Sequence, residues 1–162
     1  MINNSIYFLP LFALIIHNIE EALWLPKWSN YAVKFYKEVK PYEFHFAVLI
    51  ITALGLLSVS LIMLFPAIII FKYIYFGFYG MMIFNAFFPH LISTIALKKY
   101  APGTVTALLL NVPINSIVII KTVKFKEIGI LEVIISTLII GIIILISLPL
   151  LFKAGKIVSK YK

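Results

Sequence analysis

Five long apolar runs dominate the chain, interrupted by short clusters of proline, glycine and charge. Each run is long enough to cross a bilayer as a helix, which takes roughly 20 apolar residues. The pattern predicts spans near residues 5–24, 42–65, 73–97, 103–121 and 129–151. Pro66, Lys72, Gly77 and Gly80 are all that interrupt the stretch from Phe44 to Leu97, so a four-span reading with a broken or re-entrant segment stays open there. Period-two alternation is absent, which argues against a barrel.

Between the first two spans, Trp28, Tyr31, Ala32, Phe35 and Val39 recur at helical spacing. Lys27, Lys34, Lys37, Glu38 and Lys40 fall on the other side. This predicts an amphipathic interfacial helix over 27–40, bracketed by Pro26 and Pro41. The expected fold is an all-α polytopic transmembrane bundle forming one domain over 1–162. Composition agrees: 63% of residues are hydrophobic, 12% are charged and mean hydropathy is +1.09, outside the range of soluble domains. The N-terminal run has no basic leader and ends in charge, so it reads as a retained first span.

The formal charge of +8 comes entirely from lysine, against six glutamates. The lysines sit between spans and in the tail, where they set topology and imply no nucleic-acid partner. Ten fall on one side: Lys27, Lys34, Lys37, Lys40, Lys98, Lys99, Lys153, Lys156, Lys160 and Lys162. Lys72, Lys121, Lys124 and Lys126 fall on the other. The positive-inside rule then puts the N-terminus outside and the C-terminus in the cytoplasm, in what we read as a bacterial plasma membrane.

Near the cytoplasmic end of the first span, His17, Glu20 and Glu21 recur at i, i+3 and i+4 and are expected to form one patch. On this topology His45, His90 and Asn111 lie at the same depth in other spans, while the opposite half-spans carry almost no polar residues. An ionised side chain in hydrocarbon costs on the order of 2.5–3.5 kcal/mol, so something must compensate the paired glutamates. A divalent metal would answer both carboxylates, and a His with a Glu three or four residues away is a familiar ligand pair. With no cysteine, any metal is left to His, Glu, Asn or backbone. We take His17, Glu21, His45 and His90 as metal ligands for zinc or iron, Glu20 and Glu21 as catalytic acid or base, and Asn85 and Asn111 as supporting groups. The bland alternative is a solvated helix end beside the interfacial residues Trp24 and Trp28. No nucleophile elbow, phosphate loop, dinucleotide fingerprint or His-Glu-x-x-His occurs.

The string His17-Asn18-Ile19-Glu20-Glu21 resembles the signature of the HXXEE family, small bacterial integral membrane proteins without an established activity. The segment Tyr100-Ala-Pro-Gly-Thr-Val-Thr-Ala107, with Asn111 and Pro113 downstream, resembles that family's later region. The resemblance implies site positions at His17, Glu20 and Glu21 and supplies no reaction. Three functions remain from the residues. The first is a metal-dependent, hydrolase-like enzyme on a lipid-like substrate from the cytoplasmic leaflet. The second is a metal-free acid–base enzyme such as an isomerase. The third is a transporter, binding or immunity-type protein with a cation or proton site.

Overall fold

A computed structural model of the chain describes residues 4–32 and 38–161. Among these, five helices are long and apolar enough to cross a membrane: α1 (Ser5–Ser29), α2 (Pro41–Leu64), α3 (Ile69–Leu97), α4 (Thr104–Lys124) and α5 (Ile130–Tyr161). The chain is an all-α bundle of membrane-spanning helices. The stretch expected to blur the count resolves at Phe65–Ile68, where Pro66 ends α2 and α3 begins at Ile69.

The first span runs past its expected end at Trp24. Pro26 cannot donate to the carbonyl of Ala22, which would ordinarily break a helix. Here His45 Nε2 donates to that carbonyl at 2.9 Å from the first turns of α2, and α1 continues to Ser29. Ser29 then donates to the Pro26 carbonyl at 2.8 Å and accepts from the Val39 amide at 3.1 Å. Lys27–Ser29 therefore belong to α1 and not to a separate surface helix. Residues 33–37 of the expected interfacial helix lie outside the described residues.

The centre of the bundle is aromatic and polar, and its rim is aliphatic. Tyr75, Phe76 and Tyr79 of α3 are buried against Leu14, Val59 and Val118. Exposed positions along α5, such as Leu138, Ile139, Ile142 and Leu145, face where lipid tails would lie. This is the distribution expected when the surrounding solvent is hydrocarbon, so that apolar side chains gain little by facing inward. The opposite half-spans hold more polar groups than expected from sequence. Asn115, Thr122 and Ser58 are buried, Tyr7 donates to Glu127 Oε2 at 2.5 Å, and the Lys72 ammonium donates to the Glu127 carbonyl at 3.1 Å.

Small residues allow α3 and α5 to approach closely. A Cβ on Gly77 would stand 2.6 Å from the Ser136 carbonyl oxygen and 2.7 Å from an Ile140 side-chain carbon. On Gly141 it would meet only the Met81 side chain, at 3.2 Å or beyond. Backbone cannot yield as a flexible thioether can, so Gly77→Ala should cost about 1–3 kcal/mol. Gly141→Ala should cost distinctly less. Thermal unfolding in detergent measures the difference; equal midpoints for the two variants would contradict this packing.

Candidate functional site

Three helices, α1, α3 and α4, and the connection between the last two bring polar side chains together at one end of the bundle. His17 and Glu21 project from one face of α1, a turn apart. Their closest atoms, Nε2 and Oε2, are 3.8 Å apart. His90 comes from α3, where the backbone leaves helical geometry at Phe88 (φ −129°, ψ 117°) through a cis Phe88–Pro89 peptide and resumes after one wide turn. The His90 ring lies perpendicular to that of His17 with centroids 5.0 Å apart, and its Nε2 is 3.2 Å from Glu21 Oε1. Single ligand atoms of His17, Glu21 and His90 lie within 4.8 Å of one another. Both histidines are buried, and Glu21 is 14% exposed.

The two glutamates part company. Adjacent helical residues differ by about 100° in direction, so when Glu21 turns inward Glu20 turns to the segment between α3 and α4. There its carboxylate accepts from four donors. Oε1 takes the Tyr100 hydroxyl and the Gly103 amide at 2.8 Å; Oε2 takes the Thr106 hydroxyl at 2.6 Å and the Thr106 amide at 3.4 Å. Because the Thr106 hydroxyl donates to Glu20, its lone pair is left to accept from His17 Nδ1 at 3.0 Å. This fixes the His17 tautomer. Nδ1 carries the proton and Nε2 presents a lone pair to Glu21 and His90, the arrangement in which a carboxylate orients a metal-binding imidazole, here through an intervening threonine.

Gly103 completes the enclosure. Its φ of +91° suits glycine, and a Cβ there would stand 2.6 Å from His90 Cε1 and 2.8 Å from His17 Cε1. The backbone itself forms the wall beside both rings. Asn85 Nδ2 lies 3.0 Å from His90 Nε2 and 3.4 Å from His17 Nε2.

Of the residues expected from sequence, His17, Glu21, His90 and Asn85 converge and Glu20 supports them from behind. His45 is not brought to the cluster; its Nε2 is occupied by the Ala22 carbonyl. Asn111 is fully buried at the end of a wide turn in α4 (Ala107–Asn111), and neither side-chain polar atom finds a partner among the described residues. Sequence reasoning missed Thr106, Tyr100 and Gly103 as individual groups. All three lie in the Tyr100–Ala107 segment that carries part of the family resemblance.

The cluster opens on a cavity of about 510 Å³ between α1, α2, α3 and α5. His17, Glu21 and Asn85 supply polar groups at its wall, and Phe44, Ile51, Met82, Leu145 and Phe152 represent its mostly apolar lining. A groove of about 880 Å³ lies on the other side of α1, against Tyr100 and the start of α4.

Residues 8–118 match the profile of a family described as a protein of unknown function with HXXEE motif. The chain belongs to that HXXEE family. It is also 53% identical over 148 residues to the uncharacterized protein YrkK of Bacillus subtilis (strain 168), covering 91% of this chain and 94% of that relative. No solved structure matches. The matched region of this HXXEE protein takes in every residue of the cluster and its support, from His17 to Thr106.

Tyr100, in the connection outside the spans, offers a handle on that support. Burial and then its bond to Glu20 push its hydroxyl from the ordinary value of 10 up to about 12. A raised value means the folded state holds the proton more tightly, so the contribution is complete below about pH 10 and disappears as pH rises through about 12. The stability difference between wild type and Tyr100→Phe should therefore be constant up to about pH 10 and shrink above it. Paired thermal unfolding across alkaline pH tests this, and a difference that stays constant to pH 12 would count against the Tyr100–Glu20 bond.

Proposed function

We propose that this HXXEE protein is a membrane-embedded, metal-dependent enzyme of hydrolase type acting on a lipid-like or otherwise apolar substrate. The observation that carries this reading is a group of two imidazoles and one carboxylate, ligand atoms within 4.8 Å of one another, of which His17 and Glu21 stand at the polar wall of an apolar cavity and His90 packs behind them. His17 Nε2, His90 Nε2 and one oxygen of Glu21 form a two-histidine, one-carboxylate set of the kind that binds catalytic zinc while leaving a coordination position open. Tetrahedral bonds of about 2.0–2.1 Å put donors roughly 3.3 Å apart. Glu21 Oε1 stands 3.2 Å from His90 Nε2 and Oε2 3.8 Å from His17 Nε2, and with one atom taken per residue the three lie within 4.8 Å of one another, so an ion would draw them inward to that spacing. Electron-rich atoms facing one another at such distances in a low-dielectric setting also call for a cation or a shared proton.

When bound, a metal would supply Lewis-acid activation of a carbonyl or ester group. The chain's own residues do the remaining work. The apolar cavity orients the substrate with its reactive group at Glu21, the second oxygen of Glu21 is placed to take or give a proton, and Glu20 through Thr106 holds the His17 ring. The lysine distribution supports a cytoplasmic-leaflet site in a bacterial plasma membrane, with the N-terminus outside.

A second reading rests on the direct His90–Glu21 approach at 3.2 Å. These two groups could pass a proton to and from an apolar substrate without metal, as an isomerase requires.

Elemental analysis of the detergent-purified protein separates the two. We expect about one zinc or iron per chain, a drop in thermal stability on chelation, and loss of metal in His17→Ala, His90→Ala and Glu21→Gln. Glu20→Gln and Thr106→Val should weaken metal affinity about 10–100-fold without abolishing binding, and His45→Phe should retain it. A wild-type protein with no stoichiometric metal, and with a stability indifferent to chelator and added zinc, overturns the metal reading and leaves the acid–base one.

A further inference from the structure

The groove on the far side of α1 has a construction of its own. Its length is apolar, formed by Ile16, Ile19 and Leu23 of α1 with Val105 of α4, each about half or more exposed. From Ile16 to Lys27 the helix rises roughly 16 Å, close to the hydrocarbon depth of one leaflet. At the upper end the character changes. Trp24, Trp28 and Tyr31 gather there, the aromatic signature of the headgroup boundary.

Charge at that end is positive. Lys27 lines the groove, and the Lys99 ammonium sits 3.2 Å from the centroid of the Tyr31 ring, which lines it too. Among the described residues the one acid on the wall is Glu20, whose oxygens already accept four bonds from Tyr100, Gly103 and Thr106. The Trp28 indole N–H is buried and has no acceptor among the described residues. Two ammonium groups at the aromatic end of an apolar trough match the chemistry of a phosphate carrying an acyl chain.

We propose that this groove is a binding site for one anionic phospholipid, acyl chain along Ile16–Leu23 and headgroup phosphate at Lys27 and Lys99. A zwitterionic lipid presents the same phosphate but adds an ammonium that these lysines repel, so the site discriminates by net headgroup charge. The proposal does not rest on the metal reading, since neither lysine touches the His17–Glu21–His90 cluster.

The chain contains two tryptophans, Trp24 and Trp28, and both line this groove. Their fluorescence therefore reports on it directly. In phosphatidylcholine vesicles, brominated phosphatidylglycerol should reach half-maximal quenching at a mole fraction about fivefold or more lower than brominated phosphatidylcholine, the scale expected for a lysine near an anionic headgroup. The double variant Lys27→Gln with Lys99→Gln should erase the preference while keeping its thermal midpoint. The double variant Lys121→Gln with Lys124→Gln, of equal charge change at the other membrane face, should keep it. Equal quenching by the two brominated lipids, an unchanged preference in the first variant, or the same loss in the second would overturn the site. So would relief of quenching by inorganic phosphate, which would reveal a small-anion site in place of a lipid one.

Discussion

One buried carboxylate organises this end of the molecule. Glu20 sits within a membrane-spanning helix, where an acid lacking full hydrogen bonding is expensive, and it is answered by four donors from the connection after α3 and the first turn of α4. Those bonds pin residues 100–106 against α1 and set everything beside them. Gly103 is brought against the His17 and His90 rings, and Thr106 is oriented so that its remaining lone pair meets His17 Nδ1. Without that anchor the His17–Glu21–His90 cluster would have neither a fixed tautomer nor a closed wall.

The paired glutamates of the motif thus perform different tasks, and helix geometry is why. Two adjacent residues cannot point the same way on an α-helix; they diverge by about 100°. A helix forming a shared wall can use this divergence to present one carboxylate to each side. Glu21 enters the cavity beside two imidazoles, and Glu20 closes the structure behind them. This corrects the single-patch picture drawn from i, i+3, i+4 spacing, which places side chains on one broad face without resolving its two edges.

Hydropathy located the five helices because each span must be apolar over most of its length, and once the barrel pattern is absent only a helix satisfies its backbone in lipid. The ends were less legible. Pro26 reads as a stop in any local view, and only a partner distant in sequence, His45, supplies the donor that lets α1 continue. The same contact explains why His45, a sound ligand on residue type and depth, lies apart from the cluster. His17, Glu21 and His90 could be selected from sequence because ionisable side chains in hydrocarbon stand out. Thr106, Tyr100 and Gly103 could not, because hydroxyls and a glycine in and just after a connecting segment carry no such signal until their partner is known.

The irregular turn in α3 is the remaining piece, and it follows from what the cluster requires. Asn85 and His90 are five residues apart, and in an unbroken α-helix they would point about 140° away from each other. Only one of them could then face His17. The departure at Phe88, made possible by a proline that donates no hydrogen bond, widens the turn so that the Asn85 amide and His90 Nε2 meet at 3.0 Å on the same side. A wide turn in α4 over Ala107–Asn111 follows Thr106 directly, so irregular backbone lies beside the cluster on α3 and α4 alike. Regular helices suffice to span the membrane and pack the aromatic centre. The departures are concentrated where side chains from α1, α3 and α4 converge on a single point, which is where an ordinary helical step would have pointed one of them elsewhere.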